Sequence, residues 1–301
     1  MKFGTVAPSE LSAIDFRLAA PPPENQTVLP GTRHPHPRLY LGSAHWGHPS
    51  WSGSVYPPKT PAARYRQLYP RHFSAMELNA THYTIYAPDV IRQWAAPAEG
   101  LPFRFCPKFP QAISHHSGFR QTEALTDAFL ESITAFGPLL GPAFLQVSEF
   151  FAPAQREALF GYLSSLPQGV PYFLELRHPG WFSDARIRTE LFGFLEENGI
   201  GLVLTDTPGR RDLVHQRLTV PRFFLRLVCT GTHPTSFARI DAWTARLREW
   251  IDLGLEEACL FLHPGDETAI PVLAQYWTEA LNQQCGLQLP AVIKGEQGTL
   301  F

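Results

Sequence analysis

The sequence predicts a single TIM-type (β/α)8 barrel, and three observations carry that prediction. Short apolar runs recur eight times, helical patterns alternate with them, and the eight units fill about 250 residues, the usual size of such a barrel. Strand followed by helix implies parallel βαβ units, because parallel neighbours need a crossover connection. A doubly wound open sheet is the competing architecture, but it ordinarily carries a glycine-rich phosphate turn after its first strand. Here that position reads Gly42-Ser43-Ala44-His45-Trp46-Gly47, which lacks the fingerprint.

Taken in order, residues 1–38 read as an N-terminal extension. Pro21-Pro22-Pro23 and the proline-rich stretch from Gly31 to Pro37 have linker composition, while Leu11, Ile14, Phe16 and Leu18 offer apolar contacts to a domain beneath. The barrel is expected over 39–290, with strands at 39–44, 75–79, 103–108, 143–147, 172–177, 201–206, 223–228 and 259–263. Helices are expected at 123–136, 153–166, 184–198, 242–253 and 269–284. The fourth of these places Trp243, Leu247, Trp250 and Ile251 on one stripe, with Asp241 as its N-cap and Gly254 as its stop. The connection between the sixth and seventh runs is too short for a long helix. Residues 291–301 are expected to form a tail.

The chain's formal charge of −2 gives no general drive toward nucleic acid or a membrane surface. Cys106, Cys229, Cys259 and Cys285 form no C-x-x-C pair, which fits buried free thiols in a reducing compartment. Glu10, Asp15 and Arg17 interrupt any signal-like apolar stretch, and no run is long enough to span a bilayer. A cytoplasmic protein without a membrane partner is the expectation.

In a barrel of this type the chemistry sits at the C-terminal ends of the strands. Those ends read His45 and Trp46; Glu77 and Asn79; Lys108; Gln146; Glu175, Arg177 and His178; Asp206; Arg226; and His263. Alternation in 173–177 sets Glu175 and Arg177 on one face and Leu174 and Leu176 on the other. Lys108, Arg177 and Arg226 could converge on a phosphate or carboxylate, with Asn79, Gln146, Asp206, Trp46 and Tyr83 completing the binding set. Glu77 or Glu175 would act as general acid or base, and His178 or His115 as proton partner. The competing reading is a buried ionic network that fills the barrel without doing chemistry. A divalent metal on these carboxylates with His45, His82, His115, His178 or His263 is chemically permitted, yet no fixed ligand spacing favours it.

These same segments carry a family resemblance. Gly42-Ser43-Ala44-His45-Trp46 followed by Trp51-Ser52-Gly53-Ser54-Val55-Tyr56-Pro57, then Glu77-Leu78-Asn79-Ala80-Thr81-His82-Tyr83, resemble the opening segments of the domain-of-unknown-function 72 family, the YecE-like proteins. Phe105-Cys106-Pro107-Lys108-Phe109-Pro110 with Ile113-Ser114-His115, Leu140-Gly141-Pro142 through Gln146, and Glu175 through Phe182 continue the likeness in family order. The resemblance implies a TIM-type barrel and a pocket, and no established reaction. This chain departs from the family pattern twice: Val228-Cys229 stands for His-Gly after the seventh-strand arginine, and His263-Pro264 for a pair of Asn at the eighth.

The chain ends in Gln297-Gly298-Thr299-Leu300-Phe301, which resembles the Q-x-x-L-F peptide by which bacterial DNA-processing proteins dock on the sliding clamp. Three readings follow. The first is an enzyme, a hydrolase or lyase, acting on a small anionic substrate. The second is a DNA phosphodiesterase or lyase, with or without a metal, recruited through Gln297, Leu300 and Phe301. The third is a non-catalytic module that binds a ligand or partner.

Overall fold

The computed structural model describes residues 3–293. Eight parallel strands form one sheet, β1 (Arg38–Ser43), β2 (Ala75–Leu78), β3 (Arg104–Pro107), β4 (Ala143–Gln146), β5 (Tyr172–Glu175), β6 (Gly201–Asp206), β7 (Arg222–Leu227) and β8 (Glu257–Leu262). Their order is β3-β2-β1-β8-β7-β6-β5-β4. The two ends of that order are drawn together by bridges between Phe105 and Leu140 and between Lys108 and Phe144, so the ring is nearly closed. All eight expected strands are present.

The helices are α1 (Tyr65–Leu68), α2 (Ala80–Tyr83), α3 (Pro88–Ala95), α4 (Glu123–Thr134), α5 (Arg156–Ser164), α6 (Gly180–Ser183), α7 (Ala185–Glu197), α8 (Pro234–Asp252) and α9 (Ile270–Cys285). They surround the sheet and bury the outward strand residues, such as Leu174, Leu204, Leu225 and Leu260, beneath Ile133, Leu191, Trp243 and Trp277. None of those described is long and apolar enough to cross a membrane. One expected start is corrected. Asp241 does not cap a helix beginning at 242; α8 starts at Pro234, capped by the His233 side chain accepting from the Thr235 N–H. Proline at the first position needs no N–H partner, which is why the helix can begin there. Asp241 lies inside α8 and accepts a hydrogen bond from the Tyr276 hydroxyl.

Between β6 and β7 the chain forms only a 3-10 turn at Arg211–Leu213. The N-terminal segment occupies the space a crossover helix would fill. Pro22 and Glu24 line a cavity of about 600 Å³ with Arg188, Phe192 and Glu196 of α7. On the other side Leu29 and Pro30 line a second cavity with Trp250 of α8. Asn25 is the clasp: its side chain donates to the Gln216 carbonyl (3.0 Å) and accepts from the Leu218 N–H (2.8 Å). Arg246 donates to the Ala19 carbonyl and the Gly31 N–H to that of Leu253, while Leu11 and Leu29 are buried. A stretch of linker composition thus supplies part of the barrel's outer layer.

Candidate functional site

A two-residue rhythm builds the site. The barrel interior holds an apolar layer that includes Ala75, Cys106, Phe144, Phe173, Val203, Phe224 and Phe261. Two positions further along each strand stand Glu77, Lys108, Gln146, Glu175, Thr205, Arg226 and His263, all buried. Side chains in a strand alternate faces, so each of these lies directly above an apolar neighbour, at the C-terminal end. The first strand breaks the pattern with Gly42. A Cβ there would stand 1.9 Å from the Ala75 carbonyl oxygen, so only glycine lets β1 approach β2 this closely.

Arg226 crosses the barrel. Its Nε and Nη2 donate to the two oxygens of Glu77 (2.9 and 2.8 Å), and its Nη1 donates to Glu175 (2.8 Å). Glu77 also accepts from the Asn79 amide (2.9 Å) and from His263 Nε2 (2.8 Å). Glu175 accepts in addition from Arg177 Nε (2.7 Å) and the Thr205 hydroxyl (3.0 Å). Burial alone would raise both carboxyl pKa values, but the guanidinium groups outweigh it. Glu77 is held well below the ordinary range by Arg226 and His263, and Glu175 is held at about 2 by Arg177, Arg226 and Lys108. An ionised carboxylate only accepts, so His263 Nε2 carries the hydrogen; burial keeps that imidazole's pKa below the usual value.

Lys108 is placed differently. It is buried, and its Nζ donates to Gln146 Oε1 at 2.8 Å, a neutral acceptor. Among the described residues no carboxylate lies within 4.0 Å of it. Burial, and next the Arg226 charge, lower its pKa to about 8 against the opposing pull of Glu175 and Glu77. Above it, Ser114 and His115 belong to a π-helical turn, Ala112–His116. His115 Nδ1 is 2.7 Å from the Ser114 hydroxyl, its ring stands 5.2 Å from that of His82, and burial followed by Lys108 lowers its pKa. His82 is lowered to about 4 by the same two causes and bonds the Phe109 carbonyl.

Arg177 lies at the rim, paired with Glu175 and under the ring of Phe3, whose centroid is 4.3 Å from its guanidinium carbon. Phe3 is held there because Gly4 O accepts from the Gly209 N–H and the Thr207 hydroxyl, each at 2.7 Å.

Glu77, Asn79, Lys108, Gln146, Glu175, Arg177, Arg226 and His263 are therefore gathered into one cluster, with His115 near it. Asp206 is not. It falls one position out of the rhythm, after Thr205, and points into the helical layer, where Arg239, Arg211 and Trp243 bind it. Trp46 packs edge-on against Tyr69 and near Phe105, in the outer layer. Tyr83 is exposed beside His82. His178 accepts from the Gly180 N–H at the start of α6, and His45 reaches Glu267. Among the described residues no group of three His, Cys, Asp or Glu side chains is placed to hold a metal. Thr205 was absent from the expected set, although its parity with Val203 marks it in the sequence.

A nearly closed parallel barrel with helices around it and buried charge at the C-terminal strand ends defines the class, a (β/α)8 barrel. Within it, the chain belongs to the DUF72 family: the model described as "Protein of unknown function DUF72" matches residues 40–295. UPF0759 protein YecE of Escherichia coli K12 is 28% identical over 263 residues, covering 81% of this chain and 93% of that one. UPF0759 protein YunF of Bacillus subtilis is 28% identical over 152 residues, 48% of this chain and 52% of its own. Two solved DUF72 proteins share the fold. That of Enterococcus faecalis V583 superposes with a TM-score of 0.62 at 17% identity, covering 85% of this chain and 100% of that one; that of Thermotoga maritima MSB8 gives 0.58 at 19%, covering 81% and 99%.

Proposed function

We propose that this chain is an enzyme that binds a small anionic substrate at the C-terminal face, between Lys108 and Arg177. One observation carries the reading: Lys108 is a buried cation whose hydrogen bond goes to a neutral amide. Glu77 and Glu175 are matched by Arg226 and Arg177, so the cluster is left with one positive charge in excess when Lys108 is protonated. A buried ammonium without a counterion is costly, and an arriving carboxylate or phosphate supplies one. Glu77 and Glu175 then act as fixed anions that hold the guanidinium groups in place. Saturated by donors and held ionised, neither is suited to take a proton near neutral pH. His115, exposed and unpaired with any carboxylate within 4.0 Å among the described residues, is the better proton carrier.

Calorimetric titration with oxalate and with inorganic phosphate tests this. The intact protein is expected to bind at least one, and Lys108→Met to lose roughly tenfold or more in affinity, the worth of a charge-assisted contact. Equal binding by the two proteins would sink the reading. The sliding-clamp motif at Gln297, Leu300 and Phe301 lies outside the described residues, and no observation among those residues favours recruitment to DNA. Docking there is a separate proposal, tested by titrating a bacterial clamp with the chain intact and lacking its last five residues.

A further inference from the structure

Lysine is scarce in this chain. Of its 25 cationic side chains four are lysine: Lys2, Lys59, Lys108 and Lys294. Of the two that the structure describes, Lys59 is exposed and Lys108 is buried in the barrel. The other cations of the charged cluster, Arg177 and Arg226, are arginine, as are the buried Arg217 and Arg239. To hold an anion, arginine would serve at position 108 as well, since it is always charged and can bind an oxyanion with two donors. What lysine alone offers there is a primary amine that can give up its proton and attack carbon.

The surroundings suit that chemistry. Lys108 is fixed on the interior side at the end of β3, and the bridge to Phe144 anchors its backbone. Gln146 Oε1 orients the amine without the charge of a carboxylate, which would stabilise the ammonium. Burial, and next the Arg226 charge, disfavour the protonated amine against the pull of Glu175 and Glu77, while the cluster's one excess positive charge attracts an anionic group. Resting on the anion site proposed above, we infer that Lys108 forms an imine with a small carbonyl compound carrying a carboxylate or phosphate. The free amine adds to the carbonyl carbon and one proton is taken from solvent. The carbinolamine then loses its hydroxyl as water, leaving a protonated imine on Nζ. With its pKa lowered to about 8, roughly one Lys108 in ten carries the free amine at pH 7.

Glyoxylate, the smallest 2-oxo acid, is the probe. The full-length protein is incubated with glyoxylate and cyanoborohydride, which reduces an imine to a stable carboxymethyl amine, and the modified lysines are mapped by peptide mass. Exposed Lys59 is the internal control. Oxalate, an anion of like size with no reactive carbonyl, is titrated in parallel and added as a competitor. Modification of Lys108 roughly tenfold or more faster than Lys59, slowed by oxalate, is the expected result. Oxalate binding without preferential modification of Lys108 overturns the imine and leaves the anion site standing. Preferential modification with no oxalate binding and no competition overturns the anionic substrate class instead. In Lys108→Arg, oxalate binding persists and the fast adduct disappears; a fast adduct elsewhere would overturn the assignment to Lys108.

Discussion

Arg226 commits its guanidinium to Glu77 and Glu175, whereas Lys108 keeps its charge beside a neutral amide. The two cations should therefore respond to mutation in opposite ways. Glu77→Gln leaves Arg226 buried with half its compensation gone, and a loss of about 3–5 kcal/mol is expected in urea denaturation. Lys108→Met removes a desolvated ammonium and should stabilise the fold at neutral pH by about 1–3 kcal/mol, the cost implied by a pKa lowered from 10.5 to about 8 less one hydrogen bond. The pH dependence has a definite sign. Between about 8 and 10.5 the unfolded chain binds the Lys108 proton and the folded chain does not, so wild-type stability gains from this group as pH rises through that window. The advantage of Lys108→Met is thus full below pH 8 and gone above 10.5. A pH-independent difference between the two proteins would show that burial of charge is not its source. Residues at this scale were legible where their parity was followed: Glu175 and Arg177 share a face, as the alternation requires. Asp206 shows the limit of reading strand ends alone. Its position ends a strand, but its neighbour Thr205 is the one that faces the barrel.

Strand identity was written in local apolar runs, and each of the eight appears within a few residues of its expected bounds. The helices were legible where one face is apolar, and α8 shows where that signal stops. Its first two turns bury two polar residues, Ser236 and Arg239, before Ile240. Arg239 binds Asp206 and the Ser236 hydroxyl accepts from the Thr230 N–H, so the face toward the sheet is part polar and its apolar stripe is interrupted there. The N-terminal segment was harder still. Its prolines argue for an irregular backbone, which is what the 3-10 turns Pro8–Ala13 and Pro23–Thr27 amount to. Its packing rests on pairings across about 190 residues of chain, such as Asn25 with Gln216 and Leu218, and no local pattern announces them. Asn25→Ala would leave a buried N–H and a buried carbonyl without partners, at a cost of about 1–3 kcal/mol. Denaturation midpoints of the two proteins measure it. A negligible change would mean that water reaches those groups and that the segment is not a structural layer.

Across the whole molecule the N-terminal segment links the two ends of the barrel. It joins β1 at the N-terminal end through Arg38 and reaches the C-terminal face at Phe3, beside the charged cluster. Phe3 lies on one face of the Arg177 guanidinium, so an anion approaching Arg177 from that side meets an aromatic ring rather than water. A cation–π contact at such a half-buried place is worth about 0.5–1 kcal/mol, and a ligand that needs that face must displace it. A chain lacking residues 1–6 retains the Asn25 clasp and the buried Leu11, so its denaturation midpoint should differ little from that of the full chain. Its affinity for oxalate should rise by roughly two- to fivefold, the equilibrium factor corresponding to that contact. Phe3→Ala should show the same gain if the ring itself is the cover. Unchanged affinity in both proteins would place anion binding on the Lys108 side of the cluster, away from the face of Arg177 that Phe3 covers. A fall in affinity would instead make the ring part of the site, holding Arg177 in position for the ligand.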